Sequence, residues 1–107
     1  MDDSASLYRL LGDDARLRLL RLLALERLNV TELTGILGIA QSGVSRHLGL
    51  LKDGGLVIAT AVGTKRIYRV NPDGVDALRG YFQAIWDDVL TSFQKAADRA
   101  ASPAPEE

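Results

Sequence analysis

The stretch Ala40-Gln41-Ser42-Gly43-Val44-Ser45-Arg46-His47-Leu48-Gly49-Leu50-Leu51-Lys52-Asp53-Gly54-Gly55 decides how the chain is read. At helical period Val44, Leu48 and Leu51 fall on one side, at spacings i, i+4 and i+7, and suit burial against other helices. Gln41, Ser42, Ser45, Arg46 and Gly49 fall on the other side. That second face is small and polar, carries one cation, and has no acid in its first three turns. Gln, Ser and Arg all offer donors and none repels a polyanion, so the face suits base edges and phosphates.

Upstream, Asn29 is a helix N-cap with Glu32 three residues later, and Leu28 and Leu33 stand where a hydrophobic staple would. This predicts a helix over 30–37 that stops at Gly38, leaving Gly38-Ile39-Ala40 as the connection to the helix over 40–53. Two helices joined by so tight a turn, with glycine in it, form a helix-turn-helix. Further upstream, residues 4–11 read as a short helix with Leu7, Leu10 and Leu11 on its apolar side, ended by Gly12 in the left-handed conformation. Asp13 and Asp14 start another helix, where carboxylates meet free N–H groups. Residues 15–25 are so rich in leucine that this helix is expected to be buried over much of its circumference, with Arg16, Arg18 and Arg21 marking what stays exposed. Glu26 and Arg27 make a turn.

Downstream, the pattern becomes β-like: residues 56–62, a turn at Gly63-Thr64, then 66–70. Lys65 and Arg66 sit near the tip of this hairpin, which reads as a wing lying along a DNA backbone. Asn71-Pro72-Asp73 is a cap, a first-position proline and a first-turn acid, and starts a helix running to about residue 101. Val75, Leu78, Phe82, Ile85, Val89 and Ala96 recur along it as a coiled-coil seam would, widened by Tyr81, Trp86, Leu90 and Phe93. At roughly 1.5 Å per residue it spans about 45 Å, more than so small a domain can cover. The seam therefore reads as a homodimer interface shared with the first helix, and Tyr81 and Trp86 as packing rather than an effector cage. Residues 1–101 form one domain on this reading, followed by a Pro-rich, acidic, disordered tail at 102–107.

Composition narrows the function. At 107 residues the chain is one domain, with 47% apolar and 25% charged residues. It has no cysteine, which excludes disulfides, Cys-ligated metals and thiol chemistry. No apolar run reaches membrane-spanning length and the N-terminus lacks the regions of a signal peptide, so no membrane partner and a cytoplasmic location are expected. The formal net charge of −1 conceals an uneven distribution. Residues 40–71 hold five basic side chains against Asp53 alone, a net +4, whereas residues 72–107 hold three basic against seven acidic, a net −4. A basic surface followed by an acidic segment is what this describes.

Enzymatic machinery is missing: there is one histidine, no cysteine and no glycine-rich phosphate loop. Ser45 and His47 are two apart on a helix and do not face each other as nucleophile and base would. No catalytic residue and no cofactor is expected. His47 lies at the border between the two faces, placed either to donate to phosphate or to pack against the preceding helix.

The order α-α-α-α-β-β-α and the residues themselves resemble the ArsR/SmtB family of bacterial winged helix-turn-helix repressors. Leu11-Gly12-Asp13-Asp14-Ala15-Arg16-Leu17-Arg18-Leu19-Leu20 resembles that family's opening. Gln41-Ser42-Gly43-Val44-Ser45-Arg46-His47-Leu48, with Leu51 and Gly55-Leu56-Val57, resembles its recognition helix and the approach to its wing. Gly63 and Tyr68-Arg69-Val70 match the wing's turn and return strand. The resemblance covers roughly residues 7–95 and implies a mainly α (α+β) fold dimerising through its first and last helices. It implies a repressor binding double-stranded DNA at an imperfect inverted repeat, with half-sites about 34–36 Å apart. Gln41, Ser42, Gly43, Ser45, Arg46 and His47 would meet the major groove, and Lys65 and Arg66 the flanking DNA. Leu7, Leu10, Leu11, Leu78, Phe82, Ile85, Val89 and Phe93 would form the dimer interface.

The sequence departs from the family's pattern in two places. Ala40 stands where a Ser or Thr usually caps the recognition helix, forgoing about 1 kcal/mol, so Ser42 or water is left to serve the free N–H groups. Gly43 costs roughly another 1 kcal/mol of helix stability. The family's metal ligands are also missing: Asn29-Val30-Thr31-Glu32-Leu33 has no Cys, and the last helix offers Asp87, Asp88 and Asp98 but no His. Carboxylates alone suit only hard cations, so metal response through the usual sites is not expected. An unidentified small-molecule or protein effector is left open. Two alternatives stand beside the repressor: a winged-helix interaction module that does not bind DNA, and the N-terminal part of a longer protein such as a methyltransferase fusion.

Overall fold

The computed structural model describes residues 4–101, so the expected tail lies outside the described residues. The element order is α1 (Ser4–Leu11), α2 (Asp14–Leu25), β1 (Leu28–Asn29), α3 (Val30–Leu37), α4 (Gln41–Asp53), β2 (Val57–Val62), β3 (Lys65–Val70) and α5 (Pro72–Ala101). This is the expected order with one addition, β1. Its Leu28 and Asn29 pair antiparallel with Tyr68 and Ile67, making a three-stranded sheet in the order β1-β3-β2 with β3 in the middle. The chain bends at Glu26, as expected, and enters this strand at Leu28; Asn29 then ends the strand and caps α3.

Local rules account for most boundaries. Asn29 accepts from the Glu32 N–H at 2.8 Å and the Glu32 carboxylate accepts from the Asn29 N–H at 2.9 Å, a complete capping box. Gly38 ends α3 in the left-handed region at φ 70°. The two strands of the wing pair from Val57–Val70 to Val62–Lys65, joined by the two residues Gly63-Thr64 with Gly63 at φ 62°.

The core runs through α2, α3, α4 and the sheet: Leu19, Leu33, Val44, Leu48, Leu51 and Leu56 are completely buried. Val44, Leu48 and Leu51 are the apolar side of the quoted stretch, and all three face inward as their spacing requires. Fully burying such side chains contributes about 1.5–3 kcal/mol each. Leu7, Leu10, Leu11 and Leu78 pack partly buried on the margin of this core, closing α1 and the start of α5 over it.

Three expectations are corrected. Gly12 is not left-handed: its N–H bonds to the Arg9 carbonyl at 3.1 Å, so α1 ends in an ordinary tightened turn. The second helix is less buried than its leucine content suggests. Only Leu19 and Leu23 are buried, while Leu17, Leu20 and Leu22 are half-buried although α1, α3, α4 and the sheet all pack on α2, and Leu25 in its last turn is 84% exposed. Arg16 is largely covered, with only 14% of its side chain accessible.

The start of α5 is stitched to the end of α4. The Asn71 side chain donates to the Gly55 carbonyl at 2.9 Å and accepts from the Asp73 N–H at 3.2 Å, while the Asn71 N–H donates to the Leu56 carbonyl at 2.9 Å. Gly74 follows, so close to the Gly55 carbonyl that a Cβ there would overlap it. From this anchor α5 extends for 30 residues, none of them buried.

Candidate nucleic-acid interface

Burial of Val44, Leu48 and Leu51 rotates the opposite face of α4 into solvent. Gln41, Ser42, Ser45, Arg46 and Gly49 are all exposed, and Gly43 is half-exposed with open space around it. No side chain caps the first turn: Ala40 takes the extended N-cap conformation and contributes only its carbonyl, which accepts from the Val44 N–H at 3.1 Å. Neither Ala40 nor Ser42 supplies the missing cap, so the first N–H groups of α4 are left to an outside acceptor. Such a helix start carries partial positive charge and binds anions readily.

The wing stands beside this face. Lys65 and Arg66 are exposed near its tip, beside the Gly63-Thr64 turn. Together with Ser45 of α4, Asn29 and Thr31 at the start of α3, and Thr64, they line an open hollow of about 330 Å³. The capped start of α3, a serine of α4 and two cations thus border one concave surface. Thr31 and Asn29 were not singled out from sequence, because only the fold brings the start of α3 up to the wing. Arg69, the third cation of this strand region, goes elsewhere: it lines a hollow with Glu26, Arg27, Asp76 and Arg79 at the base of α5. Part of the positive charge of residues 40–71 is therefore spent away from this surface.

His47 is half-buried and meets Arg16 of α2. Its Nδ1 lies 3.3 Å from an Arg16 guanidinium nitrogen. The same guanidinium donates from Nε to the Leu10 carbonyl at 2.6 Å and from Nη2 to the Arg9 carbonyl at 3.2 Å. Asp13, the N-cap of α2, accepts from the Arg16 backbone N–H at 3.2 Å. That bond holds the Asp13 carboxyl below its usual range, opposed by some desolvation and aided by the positive charge of Arg16.

Along α5, Phe82, Ile85, Val89 and Phe93 are exposed, as are Tyr81, Trp86 and Leu90. Tyr8 of α1 stacks edge-on with Phe82 at 6.2 Å, and Phe82 with Trp86 at 6.1 Å. An apolar hollow of about 310 Å³ lies between Tyr8, Leu11, Val75, Leu78 and Phe82. An exposed apolar row of this length marks an interaction surface. Among the described residues, no three His, Asp or Glu side chains converge on a common point, and no helix is long and apolar enough to cross a membrane.

Comparison with known proteins agrees with this architecture. The family described as "Bacterial regulatory protein, arsR family" matches residues 13–59, from the cap of α2 into the wing. The HTH-type transcriptional regulator Rv2034 of Mycobacterium tuberculosis is 34% identical over 91 residues, 85% of each chain. A crystal structure described as a possible transcriptional regulator for arsenical resistance superposes with a TM-score of 0.70 at 32% identity, covering 92% of this chain and 95% of that one. A solution structure of the homodimeric winged helix-turn-helix DNA-binding domain Mb0332 from Mycobacterium bovis gives a TM-score of 0.64 at 31% identity, covering 80% of this chain and 81% of that one. The buried and exposed faces of α4, the wing and the similarity along nearly the whole chain lead to one assignment: the chain belongs to the ArsR family of bacterial regulatory proteins and is a winged helix-turn-helix transcriptional regulator.

Proposed function

We propose that the protein is a homodimeric, cytoplasmic repressor without enzymatic activity, in which residues 1–101 act as one DNA-binding and dimerisation domain. Each protomer inserts α4 into a major groove, with Gln41, Ser42, Ser45 and Arg46 toward base edges and Gly43 allowing close approach. Lys65 and Arg66 meet the flanking backbone. The dimer forms through α1 and α5, with Phe82, Ile85, Val89 and Phe93 in the seam and Leu7, Leu10, Leu11 and Leu78 supporting it. Two-fold symmetry then calls for an inverted-repeat operator. Metal does not control it through the family's usual positions, since these lack thiolate and imidazole.

The observation that carries this reading is the concave donor surface shared by the exposed face of α4, the start of α3 and the wing. It offers hydrogen-bond donors and cations where a groove and its phosphates require them. The test starts by selecting bound fragments from the source genome and measuring affinity for the recovered operator at several salt concentrations. Affinity should fall steeply as salt rises. Arg46→Ala should weaken operator binding by about 10- to 100-fold, corresponding to about 1–3 kcal/mol. Unchanged operator affinity in that variant removes Arg46 and the recognition-helix assignment together. Absence of binding to any duplex at low salt would favour a protein-interaction module.

A further inference from the structure

We propose that Arg16 is a positioning residue for the recognition helix, joining the last turn of α1 to His47 of α4 and fixing that imidazole as its neutral Nε2–H tautomer. The proposal rests on the reading of α4 as the DNA-reading helix and goes beyond it, by naming what sets the helix's orientation.

Arg16 makes three directed contacts from one planar group: Nε to the Leu10 carbonyl at 2.6 Å, Nη2 to the Arg9 carbonyl at 3.2 Å, and Nη1 to His47 Nδ1 at 3.3 Å. The first two acceptors belong to the last turn of α1, at the negative end of its dipole; the Arg9 carbonyl also accepts from the Gly12 N–H at 3.1 Å. The guanidinium thus closes α1 and reaches across to α4. The Asp13 carboxylate, 4.0 Å from Nη1, offsets its charge.

The chemistry of the third contact is decisive. A guanidinium has donors only, so Nδ1 of His47 must accept. The proton of the neutral ring is then on Nε2, leaving an N–H donor on a half-exposed side chain next to Arg46. A lysine at position 16 would keep the charge but not the fork, since an ammonium is a point donor on a flexible stem. α4 has no side-chain cap of its own, so the tie at its middle turn sets its orientation. Through Leu7, Leu10 and Leu11, α1 also packs beside Leu78 of α5, so the tie links the helix that reads to the helices assigned to the seam.

Two measurements test this. The chain has one histidine, so the imidazole ¹⁵N spectrum is unambiguous. At pH 8 the wild-type protein should show an unprotonated Nδ1 and a protonated Nε2, and Arg16→Lys should show a mixture of tautomers. Operator affinity of Arg16→Lys should fall about tenfold, the scale of one hydrogen bond to a charged group, while affinity for a random duplex stays within about twofold because the charge is kept. His47→Leu, which removes the acceptor, should match Arg16→Lys in operator affinity and add nothing to it in the double variant. If Arg16→Lys does not fold, the wild-type spectrum decides alone. A wild-type ring protonated on Nδ1, operator binding unchanged in Arg16→Lys, or additive losses in the double variant would overturn the proposal. Operator binding unchanged in Arg46→Ala would instead strike the recognition-helix reading and leave the tautomer result standing.

Discussion

The helices from α2 to α4 and the long α5 each carry an apolar stripe, and they treat it in opposite ways. In α2, α3 and α4 the stripe closes on neighbours within the protomer: Leu19, Leu33, Val44, Leu48 and Leu51 have no accessible surface. In α5 no residue is buried, and Tyr81, Phe82, Ile85, Trp86, Val89, Leu90 and Phe93 all remain exposed. Helical periodicity shows that a face must be covered without saying what covers it. In the first region the covering elements are a few residues away in sequence. In the second, the protomer supplies only α1 and the Asn71-Gly74 anchor, and a second copy is the occupant we propose for the rest.

Three experiments break or sharpen this contrast. The largest effect belongs to the closed region: Leu51→Ala should cost about 2–5 kcal/mol of unfolding free energy, read as a lower denaturation midpoint. Next comes the open stripe. Phe82→Glu with Ile85→Glu should weaken self-association by at least about 100-fold in sedimentation, while far-UV dichroism keeps most of its helix signal. Trp86 is the chain's one tryptophan, so its emission should shift to the red on dilution of the wild type and already be shifted in the double variant. Equal association of the two proteins would remove α5 as the seam. The smallest effect distinguishes two neighbouring helix starts. Asn29→Ala should lose about 1 kcal/mol with the capping box, whereas Ala40→Ser should gain up to about 1 kcal/mol by adding a cap, both read by thermal unfolding. If position 40 gains nothing, its first-turn N–H groups are already satisfied.

Much of the fold was legible because its signals are local. Asn29 with Glu32, Gly38, Gly63-Thr64 and Asn71-Pro72-Asp73 each act through neighbours within about four residues, and each element they bound is present. The exposed polar face of α4 was legible for the same reason, since burying Val44, Leu48 and Leu51 leaves it nowhere else to go. β1 was not, because two residues cannot display a period of two and Leu28 pairs with Tyr68, forty positions away. Arg16 was misjudged as an exposed charge. Its partners, Arg9, Leu10 and His47, lie on two other helices, and a long flexible cation carries no periodic signal of where it will settle. Arg69 was counted in the basic segment 40–71 by sequence proximity, although strand alternation sends it away from Arg66.

The uneven charge along the chain has a kinetic consequence. Two cations and an uncapped helix start belong to α4 and the wing, whereas α5 carries Asp73, Asp76, Asp87, Asp88 and Asp98 against Arg79, Lys95 and Arg99 over about 45 Å at 1.5 Å per residue. In the field of a polyanion such an arrangement experiences a torque as well as a pull. A nearly neutral molecule gains little speed of approach, but it turns before it arrives, wing forward and acidic helix trailing. A larger share of its encounters is then correctly oriented, and its near-zero total charge limits the time lost on sequences it has no reason to hold.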